Sequence, residues 1–457
     1  MSVHAPHARS IIMKGKILMM EVVNSLTEKI FDEFKKCVEI LNFYGYAKAE
    51  GTKILYEPED GLVFGTKNDA DLTKLTMDDI EQLNIKRIPY SKKGKKVLIF
   101  SQTHYCQKCL ADANPFGAAL DDMAQIIGPA VYVADGRSSE KTQGKSLKKT
   151  LKKTNSCLVL RAVDGKGNGI GYSITLGRTP VEAATAVCIA EKAAEVELKA
   201  KRLGGSHALG TKDAKKMKKD FEKNYSMQTK NPVVPMAQLS DEELELRTQL
   251  IKLANKLVEK KLIIGTWGNL SVRLDDENIL ITPSGISYSE LEPLDIAKVN
   301  IKTLKAEGAN KPSSELSMHA AIYNNREDVK AVIHTHATNS SVFAAACKGI
   351  PVPSKEAEAR EIFGQVIPIA AYAAPGTREL AANVAAALGE KAGVVMAHHG
   401  MCVVGADLQE AFDRAILFEN TARVSWYDYE EDEDLDDEEI EEIDETEAVD
   451  DIEEEEK

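Results

Sequence analysis

The sequence predicts an α/β protein made of two tandem copies of one three-layer unit, each a central sheet covered by helices. Three observations predict it. Short apolar runs of strand length alternate with longer amphipathic stretches, which is the pattern of interleaved strands and helices. The 457 residues are 43% hydrophobic, enough for two to four domains with sizeable cores. The third is internal repetition. Leu62-Val63-Phe64-Gly65-Thr66 and then Leu75-Thr76-Met77-Asp78-Asp79-Ile80 parallel Ile279-Leu280-Ile281-Thr282 and then Leu291-Glu292-Pro293-Leu294-Asp295-Ile296. Ile126 to Val131 likewise parallels Ile362 to Ile367, and Thr179 to Ala183 answers Asp407 to Ala411 at the start of a long helical pattern.

Taken in order, residues 1–20 form a flexible arm with basic residues but no extended apolar core of a secretory signal. The first copy spans 21–205. A Lys-rich linker, 206–236, follows, with Lys212 to Lys219 as its partly helical core. The second copy spans 237–427, and 428–457 is a disordered acidic tail. That tail holds 21 acidic residues and one lysine, so a net charge of −14 for the whole chain leaves a mildly basic body of about +6. The lysine clusters, including Lys148, Lys149, Lys152 and Lys153, lack interleaved aromatics and belong to no recognisable nucleic-acid module, so they read as solvated faces. No apolar run approaches the ~20 residues of a membrane helix. Seven scattered cysteines make no disulfide framework and fit a reducing, cytoplasmic location. Cys106 and Cys109 form a single CxxC with no second pair to complete a thiolate site, and read as two helix-borne thiols.

Within the second copy, leucines at 244, 246, 250, 253, 257 and 262 mark an amphipathic helix over 241–262. Strands are predicted near 270–274 and 278–282, a helix after Pro312, then a strand Ala331 to His336. A final helix, 408–426, starts from a capping arrangement of Asp407 and Glu410. Chemistry concentrates here, because five of the nine histidines fall between 319 and 399. Strand alternation points His334 and His336 to one face, and His399 ends another apolar run. Three histidines with an open fourth position are the arrangement of a catalytic zinc. His398, next in a strand, is expected on the opposite face in a structural role. His319 lies one helical turn after Glu315, in reach of a supporting hydrogen bond.

Gly265-Thr266-Trp267-Gly268-Asn269 is a tight turn ahead of a strand, Thr282-Pro283-Ser284-Gly285 closes the next, and Pro312-Ser313-Ser314-Glu315 opens a helix. Glycine turns beside a helix N-terminus make a natural phosphate cradle.

These motifs, GTWGNLSVR, ITPSGI, KPSSE, AVIHTHA, GTREL and AHHG in that order over 237–427, resemble the class II aldolase/adducin family, whose enzymes include fuculose-phosphate aldolase. The first copy resembles it only in its scaffold. The resemblance implies that His334, His336 and His399 bind zinc or another divalent metal, one per chain. It makes Glu315 the catalytic acid/base and gives Asn269, Ser284, Gly285, Ser313 and Ser314 to the phosphate of a phosphorylated ketose. The implied reaction is retro-aldol cleavage to dihydroxyacetone phosphate and an aldehyde. Sugar-phosphate 4-epimerases, dehydratases and the non-catalytic adaptor adducin share the scaffold and stand as alternatives. Glu315, where the family's epimerases have aspartate, favours aldol chemistry. Where the aldolases place a proton-donating tyrosine this chain has Lys355, so Lys355 and Tyr372 are the candidate donors. In the first copy Phe100 and Gln102 replace His334 and His336, and the Glu315 helix is nearly absent. That copy is therefore expected to bind no metal and to wall the live site, in a homo-oligomer with the pseudo-tetrameric plan that two chains would give.

Overall fold

The structure, a computed structural model, describes residues 26–49, 51–90, 92–113, 115–137, 139–224 and 239–429. The N-terminal arm, the end of the linker and nearly all of the acidic tail lie outside the described residues. The first copy runs α1 (26–43), β1 (Lys53–Glu59), β2 (Leu62–Thr66), β3 (Ile80–Leu83), β4 (Val97–Ser101), α2 (His104–Ala111), β5 (Phe116–Gly117), α3 (Asp121–Ile126), β6 (Ala130–Asp135), α4 (Glu140–Leu151), β7 (Ser156–Val163), β8 (Gly169–Gly177) and α5 (Pro180–Ala200). Helix α6 (Thr211–Asn224) follows. The second copy runs α7 (Asp241–Glu259), β9 (Gly268–Arg273), β10 (Asn278–Ile281), β11 (Ala297–Asn300), β12 (Ala306–Glu307), α8 (Leu316–Asn325), β13 (Ala331–Thr335), α9 (Thr338–Ala345), β14 (Ile350–Pro351), α10 (Ala357–Phe363), β15 (Val366–Ile367), β16 (Ile369–Ala370), α11 (Arg378–Leu388), β17 (Gly393–Met396), β18 (Gly400–Gly405) and α12 (Leu408–Tyr427).

Each copy forms an eight-stranded sheet. The first is ordered β3-β2-β1-β4-β8-β7-β6-β5 and the second β12-β11-β10-β9-β13-β18-β17-β16. Seven consecutive strands correspond, β3 to β6 in the first against β11 to β16 in the second. The single parallel pair falls at the same place in each, β6 with β7 and β16 with β17. The repeat read from the sequence is thus one topology used twice. Register carries the comparison to single residues. Phe100 pairs with Lys53 and Ile174, as His334 pairs with Asn269 and Cys402. An aromatic ring occupies the sheet position of a histidine, and among the described residues no α-helix stands between β3 and β4 where α8 stands in the second copy.

The amphipathic helix predicted to reach 262 stops at Glu259. Lys261 adopts a left-handed φ of 58°, and the amides of Lys261 and Leu262 turn back onto the carbonyls of Val258 and Leu257. This is a Schellman stop, with Leu262 buried as its hydrophobic anchor. Helix α12 starts as expected, Asp407 accepting from the amide of Glu410, while Glu410 accepts from Ala406. Cys106 and Cys109 are buried free thiols on α2, and burial pushes the Cys109 thiol up to about 12. Among the described residues no helix is long and apolar enough to cross a membrane.

The copies share a core. Val196, Ala200 and Leu203 from the end of the first copy pack in one cluster with Phe343, Phe363 and Phe418 of the second. The alanine-rich α5 lies against α9, small side chains allowing a close approach. Phe418 is fully buried, edge-on to Phe363 at 5.5 Å, with Gly393 leaving room beneath its ring. Phe418→Ala is expected to cost about 3–5 kcal/mol, read as a lowered urea midpoint.

Candidate metal centre

His334 is the next-to-last residue of the central strand β13, and His336 lies just past its end. β18 can run beside them because residue 400 is glycine. A Cβ there would sit 2.3 Å from the Thr335 carbonyl oxygen. Gly268 does the same on the other flank, with a φ of 145° and the His334 carbonyl 3.0 Å from where its Cβ would be. His399 arrives in the three-residue turn joining β17 to β18, not on a strand. His398 therefore does not alternate to an opposite face. It holds the left-handed φ of 59° that closes the turn, with Nδ1 on the carbonyl of Ala119 and Nε2 3.3 Å from the Cys347 thiol. Glu315 occupies the position just ahead of α8, and its side chain makes no capping bond there.

These elements bring Glu315, His334, His336 and His399 together, one ligand atom from each lying within 4.8 Å of the others. All four are buried, and the three imidazole centroids are 4.7–4.9 Å apart. His334 Nδ1 donates to the Met401 carbonyl at 2.8 Å, and His399 Nδ1 donates to Asp121 Oδ2 at 2.7 Å. A carbonyl or carboxylate only accepts, so both rings carry a proton on Nδ1, and Nε2 is the atom each turns inward. Those two Nε2 atoms and Glu315 Oε1 are buried and make no hydrogen bond outside the cluster. Inward-facing unpaired donors of this kind fit a divalent cation. Charge agrees: Asp121, Asp122 and Glu315 are buried together with the ammonium of Lys192, which pairs with Asp122, a formal −2 for these four groups.

The electrostatics follow from burial and these neighbours. Burial pushes His336 down to about 3, keeping it neutral. Burial works the same way on His399, but the Glu315 charge and the Asp121 hydrogen bond outweigh it and push the ring up to about 10. Against its own burial, Glu315 is held well below the usual carboxylate range by His334 and His399, whose Nε2 atoms lie 3.0 and 2.9 Å away.

The centre opens on a cavity of about 720 Å³ lined by Glu315, His336, His399, Tyr372, and all five residues assigned to phosphate. Asn269 has a second engagement. Its Nδ2 donates to Glu315 Oε2 at 3.0 Å, and its Oδ1 accepts from His319, whose other nitrogen meets Ser271 Oγ at 2.6 Å. His319 is thus a supporting residue that orients the amide orienting Glu315. The backbone amides of Ser284 and Ser313 donate to the carbonyls of Lys311 and Thr282, so these amides are already engaged and the hydroxyls are what these residues have left to offer the cavity. Lys355 is a correction to the sequence reading. It is exposed, is not among the residues that line the cavity, and is ion-paired to Asp428 at 2.7 Å. Tyr372 lines the cavity with its hydroxyl 3.4 Å from Asp121, and burial raises its pKa, keeping the phenol protonated.

Sequence reasoning expected the first copy to wall the site but named no residue of it, or of the linker, at the centre. Asp121 and Asp122 open α3, and nothing in the sequence ties them to a histidine 278 positions away. From α6, Lys216, Met217 and Phe221 line the cavity, Phe221 stacking on Trp267 at 5.6 Å. Helical spacing across the lysine-rich stretch was the one signal available for that.

The family described as Class II Aldolase and Adducin N-terminal domain matches residues 248–426. A 5-methylthioribulose-1-phosphate/5-deoxyribulose-1-phosphate aldolase of Rhodospirillum rubrum is 40% identical over 183 residues, 40% of this chain and 81% of that one. An L-fuculose phosphate aldolase of Methanococcus maripaludis is 33% identical over 181 residues, 39% of this chain and 95% of that one. Among solved structures, an L-fuculose 1-phosphate aldolase is 34% identical with a TM-score of 0.40, covering 46% of this chain and 97% of its own.

Proposed function

Because the chain belongs to the class II aldolase and adducin family, we propose that it is a divalent-metal aldolase cleaving a phosphorylated ketose to dihydroxyacetone phosphate and an aldehyde. The observation that carries this is the buried set of Glu315, His334, His336 and His399 at the wall of a cavity bordered by hydroxyl-bearing turns. Catalysis is assigned to the copy at 237–427. His334, His336 and His399 hold the cation, zinc or a neighbour, and seven free thiols suit a cytoplasmic setting. When bound, the metal supplies Lewis acidity toward the oxygens of the donor fragment.

The chain's own groups do the rest. Ser284, Gly285, Ser313 and Ser314, with Asn269, hold the phosphate at the mouth. In the cleavage direction the bond between carbons 3 and 4 breaks and carbon 3 takes a proton from Glu315. In the condensation direction Glu315 removes that proton from dihydroxyacetone phosphate. The amide of Asn269 fixes the carboxylate for this transfer. Tyr372, held as a phenol, serves the oxygen on carbon 4, giving its proton to the forming hydroxyl in condensation and recovering it in cleavage.

Incubating the metal-loaded chain with dihydroxyacetone phosphate in heavy water is expected to wash one hydroxymethyl proton out of the NMR spectrum. The test needs no knowledge of the aldehyde. Exchange that stops on chelation supports the reading, and a fully metallated protein that catalyses none refutes it.

A further inference from the structure

The first copy has no histidine at the positions of His334 and His336, yet its residues reach the second copy's centre more closely than most of the second copy does. Asp121 and Asp122 are fully buried at the N-terminus of α3. Asp121 has one oxygen 2.7 Å from His399 Nδ1 and the other 3.4 Å from the Tyr372 hydroxyl. Its own amide donates to the carbonyl of His398 at 2.8 Å, and His398 Nδ1 returns a bond to Ala119. The histidine turn and the start of α3 are therefore pinned together on both sides. Asp122 Oδ2 lies 3.6 Å from His336 Nδ1 and 2.7 Å from Lys192 Nζ. Lys192 also donates to the His336 carbonyl at 2.6 Å. A buried lysine on α5 thus ties both the aspartate and the strand end that carries the ligand.

We propose that Asp121 and Asp122 are positioning residues for the metal centre, so that the copy without a histidine set supplies the outer support of the copy that has one. Asp121 fixes the ring of His399 with its proton on Nδ1, leaving Nε2 as the metal-facing atom. Asp122, anchored by Lys192, sets its charge 3.6 Å from His336 Nδ1, and Lys192 fixes the backbone that carries that ring. Such carboxylate–histidine pairs raise the basicity of the ligand and remove its rotational freedom, and losing one typically weakens metal binding 10–100-fold. The first copy is kept as a fixed half of the site, which explains why buried ionic groups persist at an interface that apolar residues would otherwise fill. This inference rests on reading the histidine cluster as a metal centre.

The test uses the full chain and Co²⁺ alone, following affinity by competition with a chelator and coordination by the visible absorption of the bound ion. Asp121→Asn is expected to bind Co²⁺ about 10–100-fold more weakly and to shift the absorption bands, with a urea midpoint near that of the parent. Lys192→Met, which releases Asp122, is expected to act in the same direction and decides the matter should Asp121→Asn not fold. Arg202→Ala removes the contact of Arg202 with Trp426, 4.3 Å from guanidinium to ring, at the same interface but away from the centre. It should leave affinity and spectrum unchanged. Parental affinity and spectrum in both Asp121→Asn and Lys192→Met would overturn the proposal, as would an equal loss in Arg202→Ala. A parent chain that binds no Co²⁺ would instead overturn the metal-centre reading itself.

Discussion

Replacing Glu315 by glutamine is expected to lower proton exchange on dihydroxyacetone phosphate by about 10³-fold while the metal content stays at the parental level. General acid–base groups contribute about 10²–10⁴ to rate, and Glu315 is the one carboxylate that both lies among the histidines and lines the cavity. Glutamine has the same shape. Its amide oxygen can still accept from Asn269 Nδ2, so the side chain keeps its place, but it cannot take a carbon-bound proton. Metal should remain because the three histidines are held by groups the substitution leaves alone: Met401 for His334, Asp121 for His399, Asp122 and Lys192 for the segment of His336. Exchange near the parental rate would remove Glu315 from the acid/base role. Loss of metal along with exchange would make it a ligand first and a base second.

The sequence was most informative where function constrains local chemistry. Strand alternation put His334 and His336 on one face, and the hydroxyls ahead of α8 marked the helix that carries Glu315. The repeat also gave the sheet, since Phe100 and His334 occupy equivalent register. What stayed hidden depends on contacts without sequence locality. The His399 turn was read as strand because its flanks are apolar, and only the left-handed residue 398 makes it a hairpin. Lys355 aligned with the family's donor tyrosine, but the chain carries it outward to Asp428. Asp121 and Asp122 looked like ordinary first-turn acids, favourable at any helix N-terminus. Their partners are fixed by how two copies dock, and no local pattern encodes docking. Reading the lysines of α6 as solvated holds for Lys212, Lys215 and Lys219, whereas Lys218 turns in to the carbonyls of Ile126 and Ile127 and the helix lines the cavity through Met217 and Phe221.

Removing the metal should make stability depend on alkaline pH. In the metal-free chain the pull of Glu315 and Asp121 overcomes burial and raises His399 to about 10, from an ordinary value of 6.5. A histidine raised on folding binds its proton more tightly in the native state, so its contribution is complete below 6.5 and is lost as pH climbs toward 10. The limiting slope for one such group is about 1.4 kcal/mol per pH unit. Urea midpoints of chelated protein are therefore expected to fall between pH 6.5 and 10, and those of the metal-loaded protein to fall much less, because the cation then satisfies Nε2 in place of the proton. The same competition predicts that loading the metal-free chain at pH 7.5 releases about one proton, measurable as a dependence of binding heat on the buffer's ionisation enthalpy. Metal binding with no proton release, and a flat alkaline profile without metal, would mean that His399 is already neutral and that the buried carboxylates do not set its charge. The two measurements share one physical cause. Asp121 at Nδ1 and Glu315 at Nε2 make the surroundings of one imidazole negative, and a single cation, proton or metal, must sit at its Nε2.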